Sequence, residues 1–326
     1  MSTATIAGPR PIVGWDADDR DWHAARLAGI GASDVTTALG FNQWQTPWQL
    51  WATKTGRRSG DTGMSTAAQL GHDLEPWLLQ QAAARIGKPV RHTRHRLYAH
   101  PEHPWRLCSP DGESADGGLV EAKTAGLAGG YGVPYGWTDT RIPLAYELQC
   151  RWQLHVMNRP VVHVVALAAG LGVCMYRIER DMATEHELVT QVDAWWQRHI
   201  VQDVEPAAGA ADNTALAELY PKPDGQTVDI GLDGFDACLR YRDAAGREKT
   251  AKTEKDQAAA AIKALLGTSE YGCMDGHLLC VWTGRDGAVD WRRVAEHISD
   301  TTGNPLPDLD LFRRNPTRSL TVKEPS

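Results

Sequence analysis

The run Val161–Ala168 constrains the fold of this chain more than any other stretch of its sequence. It reads VVHVVALA, which is apolar over nearly its whole length. A run of this kind is typical of a strand that is buried on both faces of a sheet. Residues 174–178 supply a partner strand, and residues 182–201 a closing amphipathic helix. The chain is therefore expected to contain an interior sheet covered by helical segments.

Residues 108–112 (CSPDG) and 119–124 (LVEAKT) contain the candidate catalytic residues. An apolar approach, a Pro-Asp-Gly turn and a second apolar run predict two strands of a hairpin. Because side chains alternate along a strand, Glu121 and Lys123 should face the same way, and a suitable register brings Asp111 opposite them. Carboxylates suit Mg2+ or Mn2+, and a lysine can stabilise charge developing on phosphorus. Taken alone, the pattern is more often an ordinary surface hairpin with a Glu/Lys pair.

Residues 29–35 (GIGASDV) predict a glycine turn followed by a helix through Leu39. Ser33 or Asp34 is placed to cap this helix, which is the more common use of a Ser-Asp pair. Exposed N–H groups at a helix start, with a hydroxyl and the nearby Arg26, would also seat a phosphate. The spacing leaves both interpretations open.

Three further helices matter for the site. Thr46 and Pro47 predict the start of one, as cap and first-turn proline. A longer helix over residues 67–86 has an apolar stripe, and Glu75 lies one step from that stripe, either solvated or turned inward towards a metal. Pro143 begins the third, with Gln149 and Gln153 on one of its faces. Between the second and third of these helices, apolar residues alternate with His and Arg over residues 90–99, which predicts a strand.

Charge and cysteine usage exclude some classes of protein. The net charge of -7 does not indicate nucleic-acid binding, but a DNA channel needs only local positive potential. The six cysteines form no C-x-x-C pair, which argues against a zinc ribbon or an iron–sulfur cluster and suggests reduced thiols in the cytoplasm. No signal peptide or membrane span is expected.

Two glycine-rich or proline-rich stretches divide the chain. Residues 126–140 predict either a connection with its aromatic rings folded back or a flexible flap whose rings, Tyr131, Tyr135 and Trp137, stack on bases. A low-complexity join places a domain boundary near residue 205. The part that follows, 206–326, predicts a helix over 235–266, a hairpin over 278–291 and a basic tail.

Several of these motifs occur in the order found in one nuclease family. They are Arg26, residues 29–34 (GIGASD), Thr46-Pro47, Gly71 with Glu75, Pro104-Trp105, residues 109–112 (SPDG), residues 121–123 (EAK) and Gln149. Over residues 15–200 the chain resembles the YqaJ-type viral recombinases, the lambda-exonuclease-like group of the PD-(D/E)xK nuclease superfamily. The resemblance implies a restriction-endonuclease-like α/β core, with a mixed twisted sheet flanked by helices. Residues 1–205 would then be the nuclease domain and 206–326 a smaller accessory domain.

The resemblance also assigns roles to the residues of the site. It implies Asp111, Glu121 and Glu75 as ligands of divalent ions, two Mg2+ or Mn2+. Lys123 would position the attacking water, and Gln149 would be a polar residue near the metals.

A second set of positions matches those that hold the end of the DNA in the family. Arg26, Ser33 and Ser109 would cradle a 5'-phosphate, which favours the phosphate seat over the plain cap. The implied activity is resection of one strand of duplex DNA from its 5' end in the host cytoplasm, giving 3' overhangs for phage recombination. The implied partners are double-stranded DNA ends, a single-strand annealing protein and further copies of the chain.

Three other functions compete with this one. A CRISPR-associated or helicase-linked exonuclease usually carries a cysteine-ligated cluster, which the scattered cysteines disfavour. A structure-specific or restriction-type endonuclease shares the metal centre but does not need the phosphate seat. A non-catalytic DNA-binding module would tend to have lost the acidic residues or the lysine, and all of these are present here.

Overall fold

The computed structural model describes most of the chain and divides it into two compact units. The described residues are 8–13, 19–59, 65–93, 96–126, 136–284, 286–306, 308, 312 and 320–322. The first unit is Met1–Leu219 and the second is Tyr220–Ser326. Tyr131, Tyr135 and most of the predicted basic tail lie outside the described residues.

The first unit is built on a five-stranded mixed sheet with the order β2-β5-β6-β7-β8. Its strands are β2 (Val90–His92), β5 (Gly112–Ser114), β6 (Leu119–Ala125), β7 (Val161–Ala168) and β8 (Gly172–Glu179). β6 and β7 are parallel, and the other neighbours are antiparallel. The predicted α/β class, a mixed sheet flanked by helices, is confirmed.

Helices cover both faces of this sheet. They are α1 (Asp19–Leu27), α2 (Ala32–Ala38), α3 (Pro47–Lys54), α4 (Thr66–Ile86), α5 (Leu144–Met157) and α6 (Met182–Trp196). On one face, Leu78 and Ala82 of α4 pack against Val165. On the other, Val164 belongs to a larger core that includes Trp152 of α5. The prediction that β7 is buried on both faces is confirmed, because helices pack on each side of it.

A second, three-stranded sheet consists of strands that the sequence analysis missed or joined wrongly. Its strands, in the order β1-β3-β4, are β1 (Arg10–Val13), β3 (Leu97–Ala99) and β4 (Leu107–Cys108). The single strand predicted over 90–99 is wrong, since β2 and β3 belong to different sheets. β2 pairs with β5, whereas β3 pairs with β1 and β4.

The central hairpin also differs from the prediction. Leu107–Cys108 pairs with β3, so it does not pair with the strand that carries Glu121. The hairpin partner of β6 is Gly112–Ser114, and the turn between them contains Gly117 at a φ of +89°. The Pro-Asp-Gly sequence therefore links two sheets, and Asp111 lies at that junction.

The first unit continues past the join predicted near residue 205. After a π-helical turn at Gln197–Val201 and a 3-10 turn at Ala210–Asp212, helix α7 (Asn213–Leu219) packs on the main core through Ala215. Thr46 Oγ1 donates to Asp212 Oδ1 at 2.5 Å. These contacts tie residues 206–219 to the first unit, although their composition is that of a linker.

The second unit contains a long helix, a hairpin and a short helix. These elements are α8 (Gly231–Leu266), β9 (Tyr271–Met274), β10 (His277–Val281) and α9 (Trp291–Thr302). The hairpin predicted over 278–291 is wrong: the turn is at Asp275 and Gly276, which both have positive φ, and residues 291–302 are helical. No helix in the described part of the chain is long and apolar enough to span a membrane.

Candidate active site

One cleft of the first unit brings together every residue that the sequence analysis assigned to the site. Its volume is about 540 Å3. The predicted residues that line it are Arg26, Ser33, Glu75, Ser109, Asp111, Glu121, Lys123 and Gln149. They come from α1, α2, α4, β6, α5 and the loop before β5. Their roles stay predictions, but their convergence in one cleft is a property of the fold.

Strand β6 supplies a carboxylate and an ammonium group to the cleft. Glu121 and Lys123 lie two residues apart, and Lys123 Nζ donates to Glu121 Oε1 at 2.6 Å. This contact confirms the prediction that the two side chains face the same way. Burial alone would lower the pKa of Lys123, but the charges of Glu121 and Asp111 raise it well above its ordinary value. The two carboxylates thus favour the ammonium form of Lys123.

Asp111 is held against the same strand from the side. Its Oδ2 accepts a hydrogen bond from the backbone N–H of Ala122 at 2.7 Å. Burial, followed by the nearby carboxylates of Glu121 and Glu75, raises the pKa of Asp111 well above its ordinary value, despite the opposing effect of Lys123. The site thus concentrates negative charge beyond what its one lysine balances.

Two glutamines from α5 hold the carboxylate of Glu121. Gln149 Nε2 donates to Oε1 at 2.5 Å, and Gln153 Nε2 donates to Oε2 at 2.7 Å. Gln153 is fully buried, and it was not assigned to the site from sequence. The signal was present in its spacing, because residues four apart on a helix share a face. Together the two amides fix the orientation of Glu121.

Glu75 reaches the cleft from the middle of α4. Its Oε1 lies 2.6 Å from Nε2 of His92, a partner that the sequence analysis did not identify. The next residue, Pro76, has no N–H, so it cannot donate to the carbonyl of His72. Both His72 and Glu75 line the cleft. The inward orientation of Glu75, one of two alternatives from sequence, is the one observed.

These residues fit a hard divalent cation of the Mg2+ type. Among the described residues, no three His, Cys, Asp or Glu side chains are grouped closely enough to form a metal cage. Mg2+ does not need one, since it is usually bound by one or two carboxylates and keeps several waters. Asp111 and Glu121 supply such a pair, and a cation beside them would offset the charge that raises the pKa of Asp111.

The other side of the cleft is the turn into α2, where Asp34, one of the two residues predicted to cap the helix, supplies the capping side chain. Gly31 is the N-cap, and Asp34 Oδ2 accepts from its N–H at 3.0 Å. Ser33 therefore does not cap the helix, and its hydroxyl instead accepts from Arg26 Nη2 at 2.9 Å. We call Arg26, Ser33 and Ser109 the phosphate seat, because these are the three residues assigned to a 5'-phosphate from sequence and all three line the cleft.

A buried ion pair supports the phosphate seat. Lys54, at the end of α3, places Nζ 2.7 Å from Asp34 Oδ2, and Arg26 Nη2 lies 3.1 Å from Asp34 Oδ1. Burial would raise the pKa of Asp34, but the charges of Lys54 and Arg26 lower it below its ordinary value. α3 begins at Thr46 and Pro47, as predicted, with Thr46 Oγ1 accepting from Gln49 N. Lys54 itself was not identified from sequence.

Trp137 is an aromatic residue of the stretch after β6 that was proposed as a flap, and it is not among the residues that line the cleft. Trp137, the one of the three that lies among the described residues, is buried and packs near Tyr146 and Tyr176. The ring of Trp137 is thus folded back into the core, which is the alternative interpretation of this stretch.

Residues 21–160 match the sequence model of the YqaJ-like viral recombinase domain. A relative over most of the chain is the uncharacterized protein YqaJ of Bacillus subtilis, which is 25% identical over 292 residues, 86% of this chain and 88% of the relative. Every residue that lines the cleft lies between Trp22 and Gln149, inside the matched domain.

Solved structures of exonucleases are also similar to this chain. An alkaline exonuclease from Laribacter hongkongensis is 25% identical, with a TM-score of 0.45, over 56% of this chain and 93% of that one. A phage-related exonuclease from Haemophilus somnus is 10% identical, with a TM-score of 0.38, over 54% of this chain and 96% of that one.

Proposed function

We propose that this chain, in which residues 21–160 form a YqaJ-like viral recombinase domain, is a metal-dependent exonuclease. It acts on double-stranded DNA and degrades one strand from its 5' end. The products are 3' single-stranded overhangs, which a single-strand annealing protein uses in recombination.

The observation that carries this proposal is the pairing of two kinds of site in one cleft. On one side, Asp111, Glu121 and Lys123 form an acidic site with a fixed ammonium group. On the other, Arg26 and Ser33 present donors suited to a phosphate. An endonuclease needs only the first side, whereas an enzyme that begins at a terminal phosphate uses both.

The residues of the acidic side have separate tasks in phosphodiester hydrolysis. Asp111 and Glu121 would hold Mg2+ or Mn2+, which neutralises phosphate charge and lowers the pKa of a bound water, and Glu75 adds a further carboxylate in the same cleft. Lys123 orients the attacking water and stabilises the charge that develops on phosphorus. Gln149 keeps Glu121 in position by its hydrogen bond to Oε1.

The residues of the phosphate seat select the end of the strand. The guanidinium of Arg26 and the hydroxyl of Ser33 bind the terminal 5'-phosphate, together with the hydroxyl of Ser109, which lines the same cleft. Charge-assisted hydrogen bonds of this kind are lost when the end carries a hydroxyl group. The enzyme therefore prefers 5'-phosphorylated ends.

The proposal is tested with end-labelled linear duplexes carrying either a 5'-phosphate or a 5'-hydroxyl, incubated with Mg2+ or with EDTA. We expect stepwise loss of nucleotides from the 5'-phosphorylated strand in Mg2+ and no cleavage in EDTA. Degradation from the 3' end, or activity in EDTA, would contradict the proposal.

A covalently closed circular plasmid is the matched control substrate. The exonuclease leaves it intact, whereas a restriction-type or structure-specific endonuclease opens it. Binding of the linear duplex without any hydrolysis in Mg2+ or Mn2+ would instead indicate a non-catalytic recombination module.

A further inference from the structure

The phosphate seat is anchored by a charged cluster that the proposed chemistry does not itself require. Asp34 lies at its centre, within 3.1 Å of Arg26 Nη2 and 2.7 Å of Lys54 Nζ. Lys54 Nζ also donates to the backbone carbonyl of Arg26 at 2.7 Å. Both the backbone and the guanidinium of Arg26 are therefore tied to the Asp34–Lys54 pair.

Burying these charged groups costs free energy, because it removes them from water. The side chain of Lys54 is only 4% exposed, and that of Asp34 only 11%. Replacing a buried ion pair by well-packed apolar side chains is often neutral or stabilising, so stability alone is a weak reason to keep one. The position of the pair, directly behind the seat, points to a role in binding.

The charges of the cluster explain what that role is. Asp34 fixes the guanidinium of Arg26 beside Ser33, but on its own it would also cancel the positive charge of Arg26. Lys54 adds a second positive charge: burial lowers its pKa, but the carboxylate of Asp34 opposes this shift and favours the ammonium form. Two cations and one anion give the three groups a net charge of about +1. A phosphate entering the seat then meets a net positive field and not a neutral pair.

We propose that Lys54 and Asp34 are positioning residues for the phosphate seat: Asp34 orients Arg26, and Lys54 keeps the seat positive. This inference rests on the proposed function, because it takes the terminal 5'-phosphate of DNA as the group that the seat binds. Neither residue touches the reacting phosphodiester, so both act through Arg26.

The test measures the ratio of kcat/KM on 5'-phosphorylated and 5'-hydroxyl duplexes for the full chain and its variants in Mg2+. Lys54→Met should lower this ratio about tenfold, because the cluster behind the seat loses one of its two positive charges and Asp34 then neutralises Arg26. The loss should appear in KM for the phosphorylated end and not in kcat, because the acidic side of the cleft is untouched. Lys88→Met, at an exposed lysine outside the cleft, is the matched control and should keep the wild-type ratio.

Two further variants separate charge from packing. Lys54→Arg keeps the charge and should stay within about twofold of the wild-type ratio, since guanidinium can also pair with a carboxylate. If Lys54→Met does not fold, Lys54→Gln keeps a hydrogen-bond donor without the charge and should show the same loss. A wild-type ratio in folded Lys54→Met or Lys54→Gln, or an equal loss in Lys54→Arg, would overturn the inference.

The outcome for the proposed function is read separately. A wild-type enzyme without any preference for 5'-phosphate, or an Arg26→Ala variant that keeps the preference, would show that the phosphate seat does not bind a 5'-phosphate. A preference that depends on Arg26 but not on Lys54 would leave the proposed function standing and overturn only the positioning role.

Discussion

Two aspartates near the cleft differ in their electrostatics: Asp34, which is buried behind the phosphate seat, and Asp111, which is half-buried on the acidic side. Asp34 has two cationic partners and a backbone N–H, and its pKa lies below the ordinary value. Burial and two neighbouring carboxylates raise the pKa of Asp111 well above the ordinary value of an aspartate, although one lysine is also nearby. The side chains around Asp34 neutralise its charge, whereas those around Asp111 do not.

This difference distinguishes Asp34, whose carboxylate supports the phosphate seat, from Asp111, whose carboxylate is suited to bind a cation. Burial is unfavourable for both, so what distinguishes them is the sign of the surrounding charge. The surroundings of Asp34 stabilise its charged form within the protein. Those of Asp111 favour its charged form only when positive charge comes from outside, as a divalent cation would supply.

The largest expected effect is the loss of hydrolysis when Asp111 is replaced. Asp111→Asn keeps the shape of the side chain but removes a charge that the cation needs, so hydrolysis in Mg2+ should fall by about a thousandfold or more. The measurement is the rate of nucleotide release from a 5'-phosphorylated duplex. Asp73→Asn, at an exposed aspartate of α4, should retain the wild-type rate. Near-wild-type activity of Asp111→Asn would show that the acidic side is not the catalytic centre.

A second loss, somewhat smaller, is expected at Lys123. Removing a preorganised charge contact costs on the order of 3 kcal/mol in the transition state, or roughly a hundredfold in rate. Lys123→Met should therefore lower kcat on phosphorylated and hydroxyl ends alike. A variant that changed only the preference between the two ends would assign Lys123 to the phosphate seat instead.

The comparison predicts opposite effects of the two aspartates on stability. Asp34→Asn leaves Lys54 buried without its counter-charge and should lower the free energy of unfolding by about 3 kcal/mol. Asp111→Asn relieves repulsion from Glu121 and Glu75, so in EDTA its stability should equal or exceed that of the wild type. Urea unfolding of both variants at neutral pH checks this. A large loss for Asp111→Asn in EDTA would mean that its carboxylate is already balanced.

The smallest effect is expected from removing the second unit. A chain that ends at Leu219 keeps the whole cleft and should hydrolyse short duplexes at close to the wild-type rate. A chain that ends at Val204 loses Asp212 and Ala215, which contact the core, and should melt at a lower temperature. An inactive but folded chain ending at Leu219 would show that residues 220–326 complete the site.

Sequence patterns predicted the acidic side of the cleft better than the phosphate seat. Glu121 and Lys123 are two residues apart on a strand, so their common direction follows from the pleat alone. The contact between Asp34 and Lys54 depends on how α2 packs against α3, which no local pattern encodes. Gln153 lay on the predicted face of its helix, but only the packing of α5 shows that it reaches Glu121.

Turn chemistry caused the errors in strand pairing. The Pro-Asp-Gly sequence before Glu113 resembles a hairpin turn, yet the chain there crosses between two sheets. In the second unit, Asp275 and Gly276 form the true turn of the hairpin, because both adopt positive φ. Apart from Leu266, the described side chains of that unit are not buried. The predicted pairing of its strands therefore could not be checked against a pattern of core residues.

Apart from Glu75 and its partner His92, each side of the cleft is also drawn from a limited stretch of chain, which bears on the order of folding. The partners of Glu121 that hold it in place lie between Lys123 and Gln153, and the cluster around Asp34 lies between Arg26 and Lys54. These contacts span at most 32 residues, and the entropy lost on closing a loop grows only slowly with its length. The two sides can therefore form independently, and the cleft exists only once α2 docks on α5 and Ile30 pairs with Arg106. Substitutions at this docking surface should slow the appearance of activity during refolding more than the appearance of helix.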